Sequence, residues 1–158
     1  MIDIRCATPE EAPLILGFIR ELAEYERLQH EVVATAEDVR RTLFGAHPYA
    51  HALLACLDGE PVGYAIYFYN YSTFLCRPGI YVEDVFVRPG GRGHGIGRRV
   101  FEHLARLALE QHCGRLEWAV LDWNETAIHF YRRLGATPND EWTTYRVAGS
   151  ALERLAAG

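Results

Sequence analysis

The chain opens on the alternation Ile2-Asp3-Ile4-Arg5, which predicts a short strand. Thr8-Pro9-Glu10-Glu11 follows with an N-cap, a first-turn proline and a glutamate three places on, the signature of a helix start. Leu14, Ile15, Phe18, Ile19 and Leu22 recur at three- and four-residue spacing, so this helix carries one apolar face and is expected to reach about Arg27. Thr35-Ala36-Glu37-Asp38 repeats the start signal. Val39 and Leu43 mark the buried side of a shorter helix, with Gly45 as its stop.

From His51 the period changes. "HALLACL", Asp58-Gly59 and "PVGYAIYFYN" predict two strands joined by a tight hairpin, and "GIYVEDVFV" predicts a third after the irregular "YSTFLCRP". Arg98 to His112 puts Val100, Phe101, Leu104, Leu107 and Ala108 on one helical face, with Gly114 placed to end it. "RLEWAVL" is the next strand, Asn124 caps a helix through Ile128, Tyr131 and Leu134 to Gly135, and "WTTYRVA" is expected as the closing strand. The order is strand, two helices, three strands, helix, strand, helix, strand. It implies an α/β fold: a mixed, mostly antiparallel sheet with helices on both faces. With no repeat, linker or low-complexity stretch, residues 1–158 are expected to form a single domain.

Composition narrows the function. The 16 basic residues are all arginine, against 21 acidic ones, for a net charge of −5. That balance disfavours a polyanionic partner such as nucleic acid. The absence of lysine removes the Walker lysine of a phosphate-binding NTPase loop and the Schiff-base lysine of pyridoxal enzymes. Cys6, Cys56, Cys76 and Cys113 have no Cys-x-x-Cys pairing and are expected to be reduced core residues, and no histidine spacing suggests a metal. The start "MIDIRCATPE" lacks a basic region before a long apolar one, and no apolar run approaches the ~20 residues of a membrane span. A cytoplasmic protein without membrane contact is expected.

The densest chemistry lies in "RPGGRGHGIGRRV", residues 88–100. The dinucleotide fingerprint Gly-x-Gly-x-x-Gly fails at every start, since its last position falls on Ile96, Arg98 or Val100. What remains is Arg92-Gly93-His94-Gly95-Ile96-Gly97, an Arg-x-x-Gly-x-Gly stretch between a strand and a helix. There, outward amides and the helix dipole favour a diphosphate. Taken alone, it reads equally as a glycine-rich connection.

"YVEDVFVRPGGRGHGIGRRV" and "LDWNETAIHFYRRLGA", supported by "IRCATPEEAPLILGFIRELAEYE", "HPYAHALLA" and the strand order, resemble the Gcn5-related N-acetyltransferases. The likeness covers most of the chain and is to the diamine (spermidine/spermine) and thialysine acetyltransferase branch. The resemblance implies acetyl-CoA as co-substrate and no metal. It assigns the diphosphate to Arg92, Gly93, His94, Gly95, Ile96, Gly97 and Arg98, the pantetheine and thioester to backbone of Val85, Phe86 and Val87, and further CoA contact to Asn124. It makes Glu83 the base through water and Tyr131 the acid that protonates the CoA sulfur. Tyr25, Glu26, Glu83, Asp84, Glu141 and Trp142 match positions that contact the amine, and the family implies a homodimer. Asn70-Tyr71-Ser72-Thr73-Phe74 departs from the Asp-Pro-Trp pattern of the polyamine enzymes and is closer to the thialysine-type relatives.

An acetyl thioester is already activated, so catalysis must mainly supply a neutral amine, orient it, stabilise an oxyanion and protonate the leaving thiolate. An alkylamine with a pKa near ~10 is almost wholly protonated at neutral pH, which makes a base beside the cofactor strand useful. Alternation puts Glu83 and Asp84 on opposite faces unless a bulge re-aims the strand. Each singled-out residue also has a plainer reading: an exposed acidic pair, a packed aromatic at Tyr131, an N-cap at Asn124. The expected activity is N-acetylation of a small cationic amine such as a diamine, polyamine or lysine-like amino acid. Peptide N-acetylation and a CoA-binding regulatory module are the alternatives.

Overall fold

The computed structural model describes residues 1–158. Strand β1 (Ile2–Cys6) leads through a 3₁₀ turn at Pro9–Glu11 into helix α1 (Ala12–Tyr25). Helix α2 (Ala36–Phe44) precedes strands β2 (His51–Leu57), β3 (Glu60–Ser72) and β4 (Arg77–Val87). Helix α3 (Ile96–Glu110), strand β5 (Leu116–Trp118) and helices α4 (Glu125–Arg133) and α5 (Gly149–Ala157) complete the order. The chain packs as two compact units, Met1–Asp122 and Trp123–Gly158.

Both helix-start signals act as their chemistry requires. The Thr8 amide donates to Glu11 Oε2 at 2.9 Å, and Arg5 closes a fork on the same carboxylate at 2.6 and 3.0 Å. At α2, Thr35 and Asp38 satisfy each other's amides, at 2.9 and 3.2 Å.

The first unit is built on one sheet in the order β1-β2-β3-β4-β5, with antiparallel neighbours except for the parallel β4–β5 pair. A parallel pair needs a crossover, and α3 supplies it. On one face Ala52, Leu54, Cys56, Tyr64, Ile66 and Phe86 pack with Ala12, Ile15, Leu16 and Phe18 of α1 and Val39 of α2. Leu53, Ala55, Ala65, Ile80 and Val82 are buried on the opposite face, where α3 contributes Ile96, Val100, Phe101, Leu104 and Ala108. Each fully buried aliphatic or aromatic side chain is worth ~1.5–3 kcal/mol, so both helical layers are needed to hold the sheet.

Three expectations are corrected. Residues 142–148 join no ladder, and the expected closing strand is absent. Trp, Thr, Tyr and Val suit a pleated surface, but strand formation depends on a neighbour's backbone groups and on packing. The last regular element is instead α5, which Leu152 and Leu155 alone announced too weakly. At the end of α3 the left-handed residue is His112, φ 55, rather than Gly114. His112 and Cys113 amides donate to the carbonyls of Leu109 and Ala108, the Schellman pattern. Gly114 lies against the Leu75 side chain, whose Cδ1 would be 2.6 Å from an added Cβ and would have to shift. Finally, Cys56 and Cys113 are buried but Cys6 and Cys76 are exposed, the latter in the left-handed turn between β3 and β4.

Candidate active site

The local structure of β4 is set by one extra residue. Ile66 of β3 faces Asp84 but the next residue, Tyr67, faces Val82, so Glu83 is bulged out of the ladder. The bulge reverses the alternation: Ile80 and Val82 belong to the α3 face, whereas Phe86 and Asp84 turn toward α1. Glu83 is exposed, and its charge is felt at Tyr81, whose phenol is raised by burial first and then by Glu83 and Glu117.

The β5 ladder meets β4 only at Ile80, Tyr81 and Val82. Beyond Val82, β4 has a strand neighbour on the β3 side alone. Arg88 donates to Val62 at 2.8 Å, which in an antiparallel pair points the backbone groups of Val85 and Val87 away from β3. Val87 O accepts Arg92 Nε at 2.9 Å.

On the α1 face, buried Tyr64 stacks on Phe18 at 5.4 Å and donates its hydroxyl to Asp84 Oδ2 at 2.8 Å. Burial pushes the Asp84 carboxyl above the usual carboxylate range, and the Tyr64 bond opposes that rise. Glu26, the residue closing α1, is raised by burial and then by the Asp84 charge. The Tyr64 phenol is pushed far up by burial, then by Asp84 and Glu26. The Arg92 guanidinium lies 5.3 Å from the ring centroid of Tyr25, the last residue of α1, and 5.8 Å from that of Phe86. The structure therefore brings Tyr25, Glu26, Asp84, Phe86 and Arg92 to one end of the sheet. Tyr64 was not singled out from sequence; its signal was a hydroxyl-bearing side chain among core positions, which needs an acceptor. Nor was Arg88, which forks onto Glu21 of α1 at 2.7 and 2.9 Å and sits 4.3 Å over Phe18.

The glycine stretch turns from β4 into α3. Gly95, φ 80, is the N-cap, and it offers no side-chain acceptor to the first-turn amides. Gly93, φ 82, is also left-handed, and a Cβ at either position would meet no atom within 4 Å. His94 Nδ1 lies 3.1 Å from Arg92 O and 3.3 Å from Gly91 O, so its ring N–H donates into its own loop. An open, uncapped helix start with backbone free of side-chain cover suits a diphosphate, and the outward groups of Val85 and Val87 suit an extended amide chain. The residues present thus fit acetyl-CoA.

In the second unit, Asn124 Oδ1 accepts from the Ala127 amide at 3.2 Å and is an N-cap in fact. Tyr131 is half-buried in α4, its ring 5.6 Å from that of Phe130. Glu141 and Trp142 are exposed. No group of three or more His, Cys, Asp or Glu side chains is gathered for a metal, and no helix is long and apolar enough to cross a membrane.

A β4 strand that runs on past its short β5 ladder, a bulge in its acidic stretch and a glycine-capped helix start suit acyl transfer from a nucleotide-bearing thioester. The chain belongs to the acetyltransferase (GNAT) family, whose model matches residues 18–136. It is an amine N-acetyltransferase, of a family that uses acetyl-CoA as co-substrate. It is 42% identical to the thialysine N-epsilon-acetyltransferase of Bos taurus, over 98% of this chain and 97% of that protein. With the L-ornithine N5-acetyltransferase of Arabidopsis thaliana it shares 30% identity, over 96% and 86%. Among solved structures, an integron cassette protein from V. cholerae matches with a TM-score of 0.83 at 27% identity, covering 99% of this chain and 98% of that one.

Proposed function

We propose that residues 1–158 form one acetyltransferase domain that acetylates a primary amine of a small cationic substrate: a diamine, a polyamine or a lysine-like amino acid. The observation that carries this reading is the bulge at Glu83. It sets an exposed carboxylate out of the ladder, next in the chain to the half-buried Asp84, whose charge is felt at half-buried Glu26, on the stretch of β4 beyond the β5 ladder. Acids concentrated near a cleft draw cationic substrates. The names of the similar proteins point the same way, since thialysine and ornithine are both amino acids with a side-chain amine.

Bound acetyl-CoA supplies an activated acyl group. The amides at Gly93 through Arg98 hold the diphosphate, with Arg92 beside them, and backbone of Val85, Phe86 and Val87 orients the pantetheine. Glu83 takes the amine proton through water, and Asp84, Glu26 and Tyr25, with Glu141 and Trp142, hold the substrate's cationic end. The Tyr131 hydroxyl gives the proton that the departing sulfur needs, and Asn124 contacts CoA as well as capping α4.

The protein is further proposed to act in the cytoplasm as a homodimer. Trp142, Tyr145 and Leu155 are 75%, 93% and 69% exposed beside a segment with strand propensity and no ladder, a surface that a second copy would cover. Light scattering at micromolar concentration reports the state, and a monomer there contradicts it. The function itself is tested by acetyl-CoA consumption across diamines, polyamines, thialysine, lysine, aminoglycosides and peptides. Turnover is expected with side-chain amines of small cations; turnover confined to peptides would overturn the reading.

A further inference from the structure

Tyr64 has no part in the scheme above, yet its hydroxyl is committed to the acidic strand. The residue is 0% exposed, its ring lies parallel to that of Phe18 within 8° at 5.4 Å, and Phe18 is in turn covered by the Arg88 guanidinium at 4.3 Å. Glu21 holds that guanidinium by a two-point fork. The tyrosine is thus fixed by packing from α1, and its one donor is aimed at Asp84 Oδ2, 2.8 Å away across the β3–β4 pair. A phenol given to an ionised acceptor forms a charge-assisted bond, roughly twice as strong as a neutral one.

We propose that Tyr64 is a positioning residue for amine recognition: its hydroxyl orients the Asp84 carboxylate and stabilises its negative charge, so that the substrate's ammonium meets an anion. The inference rests on the reading of Asp84 as a substrate-side acid. The titratable and charged groups facing this site are Tyr64 from β3, Glu26 from the end of α1, the adjacent Glu83, and Arg92 over Tyr25 and Phe86. Arg88 and Glu21 neutralise each other. β2 sends Ala52, Leu54 and Cys56 to the same face. Burial works against the Asp84 charge, and Tyr64 is the donor that opposes it.

The sign follows. A bond to the charged form lowers a carboxyl's proton affinity, so Tyr64→Phe raises it and moves Asp84 ionisation to higher pH. In an acetyl-CoA assay with a diamine, KM in Tyr64→Phe is expected to rise by up to about tenfold, the loss of one charge-assisted bond, with the gap widest at the acid end of the pH range and narrowing as pH rises, and with the loss in KM rather than kcat. Asp84→Asn is expected to raise KM at every pH. If Asp84→Asn leaves KM unchanged, the reading of Asp84 fails and this inference with it. If Asp84→Asn raises KM while Tyr64→Phe matches the parent across pH, Tyr64 alone is wrongly assigned. Should Tyr64→Phe not fold, carboxyl NMR of the unaltered protein decides: the Tyr64 hydroxyl proton should be protected from exchange and shift as Asp84 titrates. A hydroxyl exchanging as fast as that of exposed Tyr49 overturns the proposal.

Discussion

Replacing Gly95 by alanine separates what the loop does for the fold from what it does for the cofactor. Gly95 sits at φ 80, ψ 10, where an L side chain costs about 1–2 kcal/mol, while the loss of glycine's freedom in the unfolded chain returns about 0.4–1 kcal/mol. The added Cβ meets no protein atom within 4 Å, so no steric term is added. The net loss of stability should be about 1 kcal/mol, a fall in Tm of roughly 2–4 °C for a chain of this size. The same Cβ projects at the N-cap of α3, where a diphosphate must approach the backbone closely. Losing one charge-assisted amide contact, about 2 kcal/mol, would weaken CoA binding about thirtyfold. Gly17 in α1 is the control: a Cβ there also meets nothing within 4 Å, and its φ is not positive. Gly17→Ala should leave affinity unchanged and stability equal or higher. Calorimetric titration with CoA, run alongside thermal melts of all three proteins, reads both quantities. A Gly95→Ala protein with the expected melt but parental CoA affinity would refute the placement of the diphosphate at residues 92–98.

Tyr131→Phe keeps the ring and removes the proton donor, so turnover should fall by about 10²–10⁴ with CoA affinity nearly intact; equal losses of rate and binding would mark a packing residue. Glu83→Gln should depress the rate most at neutral pH and recover partly toward about pH 9.5, as the amine loses its proton unaided; a constant gap across that range would leave Glu83 as an anchor only. Glu11 is held down from 4.5 to about 2, chiefly by its bond to Arg5, so its contribution is complete above the unfolded value and is lost as pH falls toward 2. Arg5 is 39% exposed, which limits Glu11→Gln to a loss of roughly 1–2 kcal/mol by denaturant melts at pH 7; the loss should vanish near pH 2.

Parts of the fold that depend on a few adjacent residues were legible in the sequence. Thr8 with Glu11 and Thr35 with Asp38 marked helix starts because capping joins residues three apart. The glycine stretch announced a backbone-lined turn because left-handed φ at Gly93 and Gly95 needs that residue type. What depends on register was not legible. "YVEDVFV" sets two adjacent acids between apolar residues, which does not say which of them leaves the ladder, and the bulge at Glu83 is fixed only when β4 is laid against β3. The Tyr64–Asp84 bond spans 20 residues and the Arg88–Glu21 fork 67, so neither leaves a local pattern. The missing closing strand has the same cause: residues 142–148 have strand composition, but a ladder belongs to two segments.

The central claim is that an acid-lined end of the sheet selects a substrate with a second cationic centre before acetyl transfer to its amine. The most direct measurement is a single competition reaction in which 1,4-diaminobutane and butylamine at equal concentration share limiting acetyl-CoA, with acetylated products counted by mass spectrometry. The ratio of products equals the ratio of kcat/KM values. One desolvated charge contact supplied by the Asp84 and Glu26 carboxylates should favour the diamine by at least about tenfold, near 1.4 kcal/mol. Equal yields of the two products, or preference for the monoamine, would contradict the account.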